Sequence, residues 1–419
     1  TVLKRYSGFV TANDRISNIE DVVGTTYSDT LNGDANDNTL SGDAGSDALF
    51  GNAGKDILFG GDDSDTLNGG ADDDVLIGGG GSDTMLGDIG NDYFQQAMEL
   101  SVSDTMDGGA GSDAADYSAE GMLVGRYVMI YFNASVTKPI APSSFMVFNN
   151  TSNVVQSKQS AADDRWIQVD LGSSLSIDAI SAQFANAPGA YSVYVGNTDM
   201  RGLSVAQLEV LNDVTVSRQD GKTNALSLKA GGIVADLTQG TVLKRYSGFV
   251  TANDRISNIE NVVGTDYSDT LIGDANDNAF AGCAGNDTLM GGAGNDAYVV
   301  GLGDGQDTII DNDSTVSNLD ALIFKSGVSK EQLWFRRIGS DLEVSIIGSG
   351  DKVSIQSWYL GTQNQIERIV TSDESSLFST DVEKMVQAMA SFSPPAPGQT
   401  KLPANYQNAL ASVIATNWH

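Results

Sequence analysis

The sequence predicts an all-β chain: a parallel β-roll built from two nonapeptide-repeat blocks, an inserted antiparallel β-sandwich and a short C-terminal helical segment. Three observations predict this fold. A nine-residue pattern recurs from Gly24, alternating apolar and polar residues replace it between Gly121 and Gly231, and apolar residues follow helical spacing after Ser379.

The repeat is regular over a long stretch. Eight units run from Gly24 to Gln95, and most carry Gly at the first position, Asp at the sixth and a large apolar residue at the eighth. A second run starts at Gly264 and ends in a looser unit at 302–310. We predict that each unit forms a six-residue turn and a three-residue strand, and that two units complete one coil, so that strands stack about 4.8 Å apart. The alternative, a disordered Gly- and Asp-rich linker, conflicts with the strictly repeated apolar residue.

The sixth-position carboxylates indicate a cofactor. Stacked carboxylates repel one another, whereas a hard cation with six to eight oxygen ligands would join them to the turn carbonyls that glycine leaves unshielded. The spacing also matches the established calcium-binding pattern G-G-x-G-x-D-x-U-x. We therefore predict multiple Ca²⁺ ions. The predicted carboxylate ligands are Asp29, Asp47, Asp56, Asp65, Asp74, Asp83, Asp92, Asp113, Asp269, Asp287, Asp296 and Asp307. The predicted carbonyl ligands are Gly45, Gly54, Gly81, Gly285 and Gly294.

Composition narrows the possible functions. The net charge of −32 disfavours nucleic acid and anionic membrane as partners, and no apolar run is long enough to span a membrane. The chain has one cysteine, Cys283, and one histidine, His419, which is its last residue. This content excludes a Ser-His-Asp triad, a catalytic Cys-His pair and a histidine-bound zinc ion within the chain. We predict that the chain is not an enzyme, although a carboxylate-pair glycosidase remains formally open. Without an initiating Met or a signal peptide, we expect a fragment of a longer protein.

A duplicated segment precedes each block. Residues 1–20 recur without change at 241–260. We predict roll-capping segments at 1–23 and 232–263, before rolls at 24–120 and 264–310, because an open parallel edge must be covered. The alternative is a recognition patch formed by the basic residues Lys4, Arg5, Arg15, Lys244, Arg245 and Arg255.

The inserted region 121–231 has short strands with β-type alternation, which are predicted at 126–132, 144–148, 165–172, 176–184 and 191–196. RWIQVDLG (165–172) resembles the discoidin, or coagulation factor type C, galactose-binding fold. GRYVMIY (125–131) precedes it, so the order of the two motifs is circularly permuted relative to that family. The resemblance implies a possible glycan or cell-surface ligand, while Trp166 and Asp170 are expected to be core residues more than ligand-binding ones.

The C-terminal region is predicted to hold β-strands at 311–378 and helices at 379–419. Val382, Met385, Val386 and Met389 follow helical spacing after a Ser379/Thr380 cap, and a second helix is predicted from Asn405. Its apolar face would carry Tyr406, Leu410, Val413, Ile414 and Trp418. These helices either cap the roll or serve as an uncleaved export signal.

Together with the nonapeptides, GDGQDTIID (303–311) and EVSIIGSGDKVSIQSWY (343–359) resemble the C-terminal portion of RTX (repeats-in-toxin) proteins. The resemblance implies calcium-driven folding, type I secretion machinery as a partner and a secreted or cell-surface location. Two functions stay open. One is a rigid adhesin or surface-layer scaffold with a carbohydrate-binding module, and the other is the export and folding tail of a secreted enzyme or toxin whose active domain lies upstream.

Overall fold

A computed structural model of the chain describes side chains for residues 20–96, 103–118, 232–245, 253–315, 318–395, 398–399 and 401–419. For the strands within 1–19, 121–231 and 246–252, it describes the backbone only. The chain forms two compact units, residues 1–231 with 243–258, and residues 232–242 with 259–419. The second predicted capping segment, 232–263, is therefore divided between the two units.

The first roll consists of short strands that follow one another along the chain. Before and within it lie β1 (Val2–Tyr6), β2 (Phe9–Asp14), β3 (Asp21–Val23), β4 (Thr30–Asn32), β5 (Thr39–Ala44), β6 (Ala48–Ala53), β7 (Ile57–Asp62), β8 (Thr66–Ala71), β9 (Val75–Gly80), β10 (Thr84–Ile89), β11 (Tyr93–Gln95), β12 (Thr105–Ala110) and β13 (Ala114–Asp116). Strands β1 and β2 pair antiparallel. Odd-numbered strands β3 to β13 form one parallel sheet, and even-numbered strands β4 to β12 form the other.

The register confirms that two nonapeptides make one coil. Thr39 pairs with Ile57 and Thr66 with Thr84, each 18 residues on. Seven strands of the first roll are longer than the predicted three residues, because parallel pairing continues into the turn, as in Asp43 with Gly61. The turns thus stack as closely as the strands do.

One apolar residue per repeat fills the space between the two sheets. Leu40, Leu58, Leu76 and Phe94 form one stack, and Leu31, Leu49, Leu67, Met85 and Met106 form the other. All are at most 4% exposed. Each buried side chain of this size contributes about 1.5–3 kcal/mol to stability, so the eighth position supplies the hydrophobic core.

The inserted strands are β14 (Val124–Phe132), β15 (Ser144–Phe148), β16 (Val154–Gln156), β17 (Gln159–Asp163), β18 (Trp166–Ser176), β19 (Ala179–Gln183), β20 (Tyr191–Gly196), β21 (Val214–Gln219) and β22 (Ala225–Asp236). Pairing is antiparallel, in the order β17-β18-β14-β20-β21 in one sheet and β16-β15-β19-β22 in the other. The core role predicted for Trp166 and Asp170 lies outside the described side chains, and sandwich packing of the two sheets stays a prediction.

The strands that follow the insert are β23 (Thr241–Tyr246), β24 (Phe249–Ser257), β25 (Asn261–Val263), β26 (Thr270–Ile272), β27 (Ala279–Ala281), β28 (Thr288–Met290), β29 (Ala297–Val300), β30 (Gln306–Ile309) and β31 (Ala321–Phe324). Strand β24 adds a rung to the first roll by pairing parallel with β12. In the second unit, β25-β27-β29-β31 and β26-β28-β30 repeat the two-sheet arrangement.

The C-terminal region extends the second roll. It contains 3₁₀ turns at Lys330–Gln332 and Thr362–Asn364 and strands β32 (Leu333–Ile338), β33 (Asp341–Ile346), β34 (Lys352–Ile355), β35 (Arg368–Val370) and β36 (Ser376–Phe378). Strands β34 and β35 pair parallel with β30 and β31, whereas β32 and β33 form an antiparallel meander on β34.

Two helices, α1 (Ser379–Met389) and α2 (Ala404–Asn417), end the chain. The predicted face of α1 is buried, and Leu410 and Ile414 of α2 are buried as well. The predicted Ser379/Thr380 cap is wrong. The N-cap is Phe378 without a side-chain hydrogen bond, because β36 runs directly into the helix and the Ser379 N–H donates to the Glu367 carbonyl. Among the described residues, no helix is both long and apolar enough to span a bilayer.

Candidate metal centre

The predicted carboxylates of the two rolls lie inside the turns. All but one of the twelve predicted aspartates are at most 4% exposed, and the exception, Asp29, is half-buried. Burial of this degree is unusual for aspartate unless a partner compensates the charge.

One oxygen has a structural role in all of these carboxylates except Asp29 and Asp269. Oδ1 accepts a hydrogen bond from the backbone N–H of the sixth-position residue one coil earlier. The Asp47 N–H donates to Asp65 at 2.7 Å, the Asp56 N–H to Asp74 at 2.8 Å and the Asp287 N–H to Asp307 at 3.0 Å. This ladder connects neighbouring coils and fixes the orientation of these carboxylates.

The second oxygen, Oδ2, lacks a hydrogen-bond partner in seven of these turns. The seven residues are Asp47, Asp56, Asp65, Asp74, Asp92, Asp287 and Asp296. An unsatisfied buried polar atom costs about 1–3 kcal/mol, and more when it is charged. A repeated cost of this kind indicates a repeated ligand, and a cation is the ligand that a carboxylate oxygen attracts.

The first-position glycines form a cradle around these oxygens. A Cβ atom on Gly42 would contact Oδ2 of Asp47 and would lie 2.5 Å from the carbonyl oxygen of Gly60 in the next coil. The same holds for Gly51, whose Cβ would meet Asp56 and the Gly69 carbonyl oxygen. Glycine therefore leaves open a space bordered by a carboxylate oxygen and a backbone carbonyl oxygen, both of which are ligands suited to Ca²⁺.

The predicted carbonyl-donating glycines all adopt the left-handed backbone conformation. Their φ angles are +99° at Gly45, +101° at Gly54, +116° at Gly81, +146° at Gly285 and +127° at Gly294. Glycine reaches this conformation at no steric cost, which explains its recurrence at the fourth position. Their role as ligands stays a prediction.

Burial changes the acidity of the carboxylates. It raises the pKa of Asp65, Asp74 and Asp296 to about 7 and that of Asp287 to about 8, and neighbouring carboxylates add to the effect. Calcium binds the deprotonated form, so binding must displace protons from these sites near neutral pH.

The described residues contain no group of three or more Asp, Glu, His or Cys side chains close enough to hold one ion. An ion in these turns would therefore take its ligands from isolated carboxylates and from backbone carbonyl oxygens. That donor set is all oxygen, which fits Ca²⁺ and fits zinc poorly.

The opening turns of both rolls differ from the rest. Oδ2 of Asp29 accepts hydrogen bonds from the Thr25 N–H at 2.6 Å and the Thr25 hydroxyl at 2.9 Å. Thr265 makes equivalent bonds to Asp269. Although we predicted Asp29 and Asp269 as ligands, the structure gives their second oxygen a threonine partner.

Four acidic residues that sequence reasoning missed continue the ladder. Asp104 accepts from the Asp83 N–H at 2.9 Å, Asp254 from the Asp104 N–H at 3.0 Å, Asp320 from the Asp296 N–H at 2.8 Å, and Glu367 from the Asp320 N–H at 2.9 Å. Each begins an acid-x-apolar triplet: DTM, DRI, DAL or ERI. That triplet is the signal that could have located them, since their turns lack the glycines.

Sequence comparison identifies these turns. Residues 23–58, 59–94, 263–298 and 278–309 match the RTX calcium-binding nonapeptide repeat. The two blocks are RTX calcium-binding repeats. Residues 341–377 match the haemolysin-type calcium binding protein related domain. The cofactor of the RTX rolls is therefore calcium, in several copies.

Among solved structures, the chain is similar to the extracellular lipase LipA from Serratia marcescens, with 15% identity and a TM-score of 0.19. The match covers 76% of this chain and 42% of the lipase, so the chain spans less than half of the lipase's length. The two family matches lie outside residues 121–231, and the discoidin-like module predicted there gains no support from them.

Proposed function

We propose that this chain is the calcium-folded region of a protein exported by type I secretion, and that it acts as a folding and export segment without chemistry of its own. The row of seven buried carboxylate oxygens without hydrogen-bond partners carries the proposal. Such oxygens make the roll costly to fold without calcium and favourable to fold with it. Calcium then acts as a signal that the chain has left the cell.

The free energy of calcium binding is large enough to decide whether the rolls fold. Extracellular calcium modules have Kd values of about 10⁻⁴ to 10⁻³ M, so about 1 mM calcium stabilises each site by about 0.4 to 1.4 kcal/mol. Seven such sites contribute roughly 3 to 10 kcal/mol, which is comparable with the whole stability of a domain. At sub-micromolar calcium the same sites contribute almost nothing.

Far-ultraviolet circular dichroism with a calcium titration tests the folding part of the proposal. We expect the β-signal to appear over about 0.1 to 1 mM calcium and to disappear on addition of EDTA. Magnesium at the same concentration serves as the control, because its smaller ion requires octahedral geometry and retains its waters. A full β-signal in EDTA would contradict the proposal.

The export part concerns the C-terminal helices. They pack against β32 within the second unit, with Phe335 6.4 Å from Trp418 and Trp334 6.2 Å from Tyr406, measured between ring centroids. This packing supports the capping role. We propose that the same residues are read by the exporter before the chain folds.

Co-expression with a type I exporter tests this second role. Wild-type chain should reach the medium, and a chain lacking residues 404–419 should stay inside the cells. Asp65→Asn is the control, because it weakens a calcium turn yet leaves the export segment intact, so it should be exported. Equal export of the truncated and wild-type chains would contradict the assignment of the signal.

The activity of the whole protein is a separate question. A surface or adhesin scaffold and the tail of a secreted enzyme or toxin both use a calcium-folded segment of this kind. We propose the scaffold with a carbohydrate-binding insert as the first candidate, on the antiparallel pairing of the inserted strands at 121–231. A glycan array probed with the calcium-loaded chain tests it, and binding to no sugar would favour the enzyme or toxin tail.

A further inference from the structure

One pair of buried carboxylates in the first roll is compensated by the ammonium group of a lysine. Asp104 and Asp254 occupy consecutive rungs and use Oδ1 in the same ladder as the repeat aspartates. Their Oδ2 atoms, however, each lie 3.1 Å from the ammonium nitrogen of Lys244. Oδ2 is the atom that lacks a partner in the seven turns described above.

The surroundings of Lys244 show that its side chain is buried between these two rungs. Lys244 is 1% exposed and Asp254 is fully buried. The Tyr117 hydroxyl, also buried, donates to Asp254 at 3.0 Å. Burial alone would lower the pKa of Lys244, but the Asp254 and Asp104 carboxylates outweigh it and raise that pKa, so the ammonium stays charged.

The rung that carries Asp254 joins the duplicated segment to the first roll. Arg255 and Ile256 of β24 pair with Thr105 and Met106 of β12, and the Arg255 N–H donates to the Asp104 carbonyl at 2.8 Å. The sequence DRI at 254–256 thus takes the place of the D-x-U triplet of a nonapeptide, although its turn lacks the repeat glycines.

We propose that Lys244 is a built-in cation that takes the place of a calcium ion between Asp104 and Asp254, and that it fixes residues 253–257 to the first roll without calcium. The inference rests on the assignment of calcium to the other turns. It also corrects the alternative interpretation of the duplicated segment as a basic recognition patch, because Lys244 is buried in an ion-pair network, whereas Arg245 and Arg255 are exposed. The identical first copy carries the same two residues, Lys4 and Asp14, at the same spacing.

The variant Lys244→Met tests the proposal, since it keeps the apolar stem and removes the ammonium. Two uncompensated carboxylates would then face the same space, as in the calcium turns. We expect the variant to bind one more calcium ion per chain than wild type in equilibrium dialysis with ⁴⁵Ca. In the variant, the amides of residues 253–257 should gain hydrogen-exchange protection only at a calcium concentration about tenfold or more above the one that wild type requires.

Lys55→Met is the matched control. Lys55 also bridges two rungs of the first roll, 2.6 Å from Asp73, but both side chains are exposed, so its loss should change neither calcium stoichiometry nor protection. Unchanged calcium stoichiometry and unchanged protection in Lys244→Met would overturn the proposal.

A second variant covers the case in which Lys244→Met does not fold at any calcium concentration. The triple variant Lys244→Met, Asp104→Asn and Asp254→Asn removes the ammonium together with both charges. Asparagine already occupies the sixth position of a repeat at Asn38 and Asn278, where its backbone N–H donates to the ladder. It should fold at the wild-type calcium concentration and bind no additional ion. Failure of the triple variant to fold would show that Lys244 acts through packing and would overturn the proposal. The wild-type titration, by contrast, tests the calcium role of the repeats, so the two hypotheses fail separately.

Discussion

At the scale of single residues, the two oxygens of the sixth-position aspartates have different roles in the seven turns described above. Oδ1 holds the coils together through a backbone N–H, and Oδ2 remains buried beside a glycine without a hydrogen-bond partner. Where the sixth residue is an amide, at Asn38 and Asn278, the side-chain oxygen instead accepts an N–H from its own turn, that of Asp34 or Asp274. Aspartate is therefore needed for the second role, the binding of a cation.

Replacing one such carboxylate should weaken calcium binding and leave the coil intact. In Asp65→Asn we expect one calcium ion fewer per chain and a loss of about 0.4 to 1.4 kcal/mol of calcium-dependent stability at 1 mM calcium. Calorimetric calcium titration and urea unfolding measure the two quantities. Asp43→Asn, which removes an exposed charge in the same roll, is the control. Equal effects of the two substitutions would show that net charge, and not a site, is responsible.

Filling the cradle should be as harmful as removing the carboxylate. A Cβ atom at Gly60 would meet Oδ2 of Asp65 and the Gly78 carbonyl oxygen, so Gly60→Ala should cost about 1–3 kcal/mol and raise the calcium concentration at half-folding. Thermal unfolding in 1 mM calcium measures this cost. Gly350→Ala is the matched control, because its Cβ would meet nothing within 4 Å. A Gly60→Ala chain as stable as that control would contradict the cradle.

At the scale of elements, the turns and strands of a roll depend on each other. The parallel strands place the turns in register, and the stacked turns bury carboxylates whose pKa values rise because of that burial. In a calcium-free roll, these buried carboxylates therefore oppose folding when they are deprotonated. The buried apolar residues of the strands favour folding at all times, whereas the carboxylates of the turns favour it only when calcium is bound.

The pH dependence of the calcium-free chain follows from these shifts. The folded-state pKa values, about 6 for Asp56, about 7 for Asp65 and about 8 for Asp287, lie above the ordinary 3.8. A raised pKa stabilises the folded state below about pH 4, and this stabilisation is lost as the pH rises through 6 to 8. In EDTA, the far-ultraviolet β-signal should thus be larger at pH 5 than at pH 8. With saturating calcium the difference should shrink or reverse, because protons compete with the ion. A calcium-free β-signal that grows towards pH 8 would contradict the assignment.

At the scale of the whole molecule, the repeats and their core could be predicted from sequence because their period is regular. The coil of two units, the eighth-position core and the sixth-position carboxylates all follow from that period. Asp104, Asp254, Asp320 and Glu367 are missed by the nonapeptide pattern because their turns lack its glycines, and the acid-x-apolar triplet is their one local signal. The buried position of Lys244 could not be predicted either, because lysine is almost never fully buried unless it is paired, and its partners Asp104 and Asp254 are distant in sequence or belong to turns without glycine.

The most direct test is a crystal structure of the chain grown in millimolar calcium, with anomalous diffraction used to locate the ions. The account predicts calcium 2.3–2.6 Å from Oδ2 in the turns of Asp47, Asp56, Asp65, Asp74, Asp92, Asp287 and Asp296, and no ion between Asp104 and Asp254. Turns that lack calcium, with Oδ2 bonded to water or to protein donors, would contradict it.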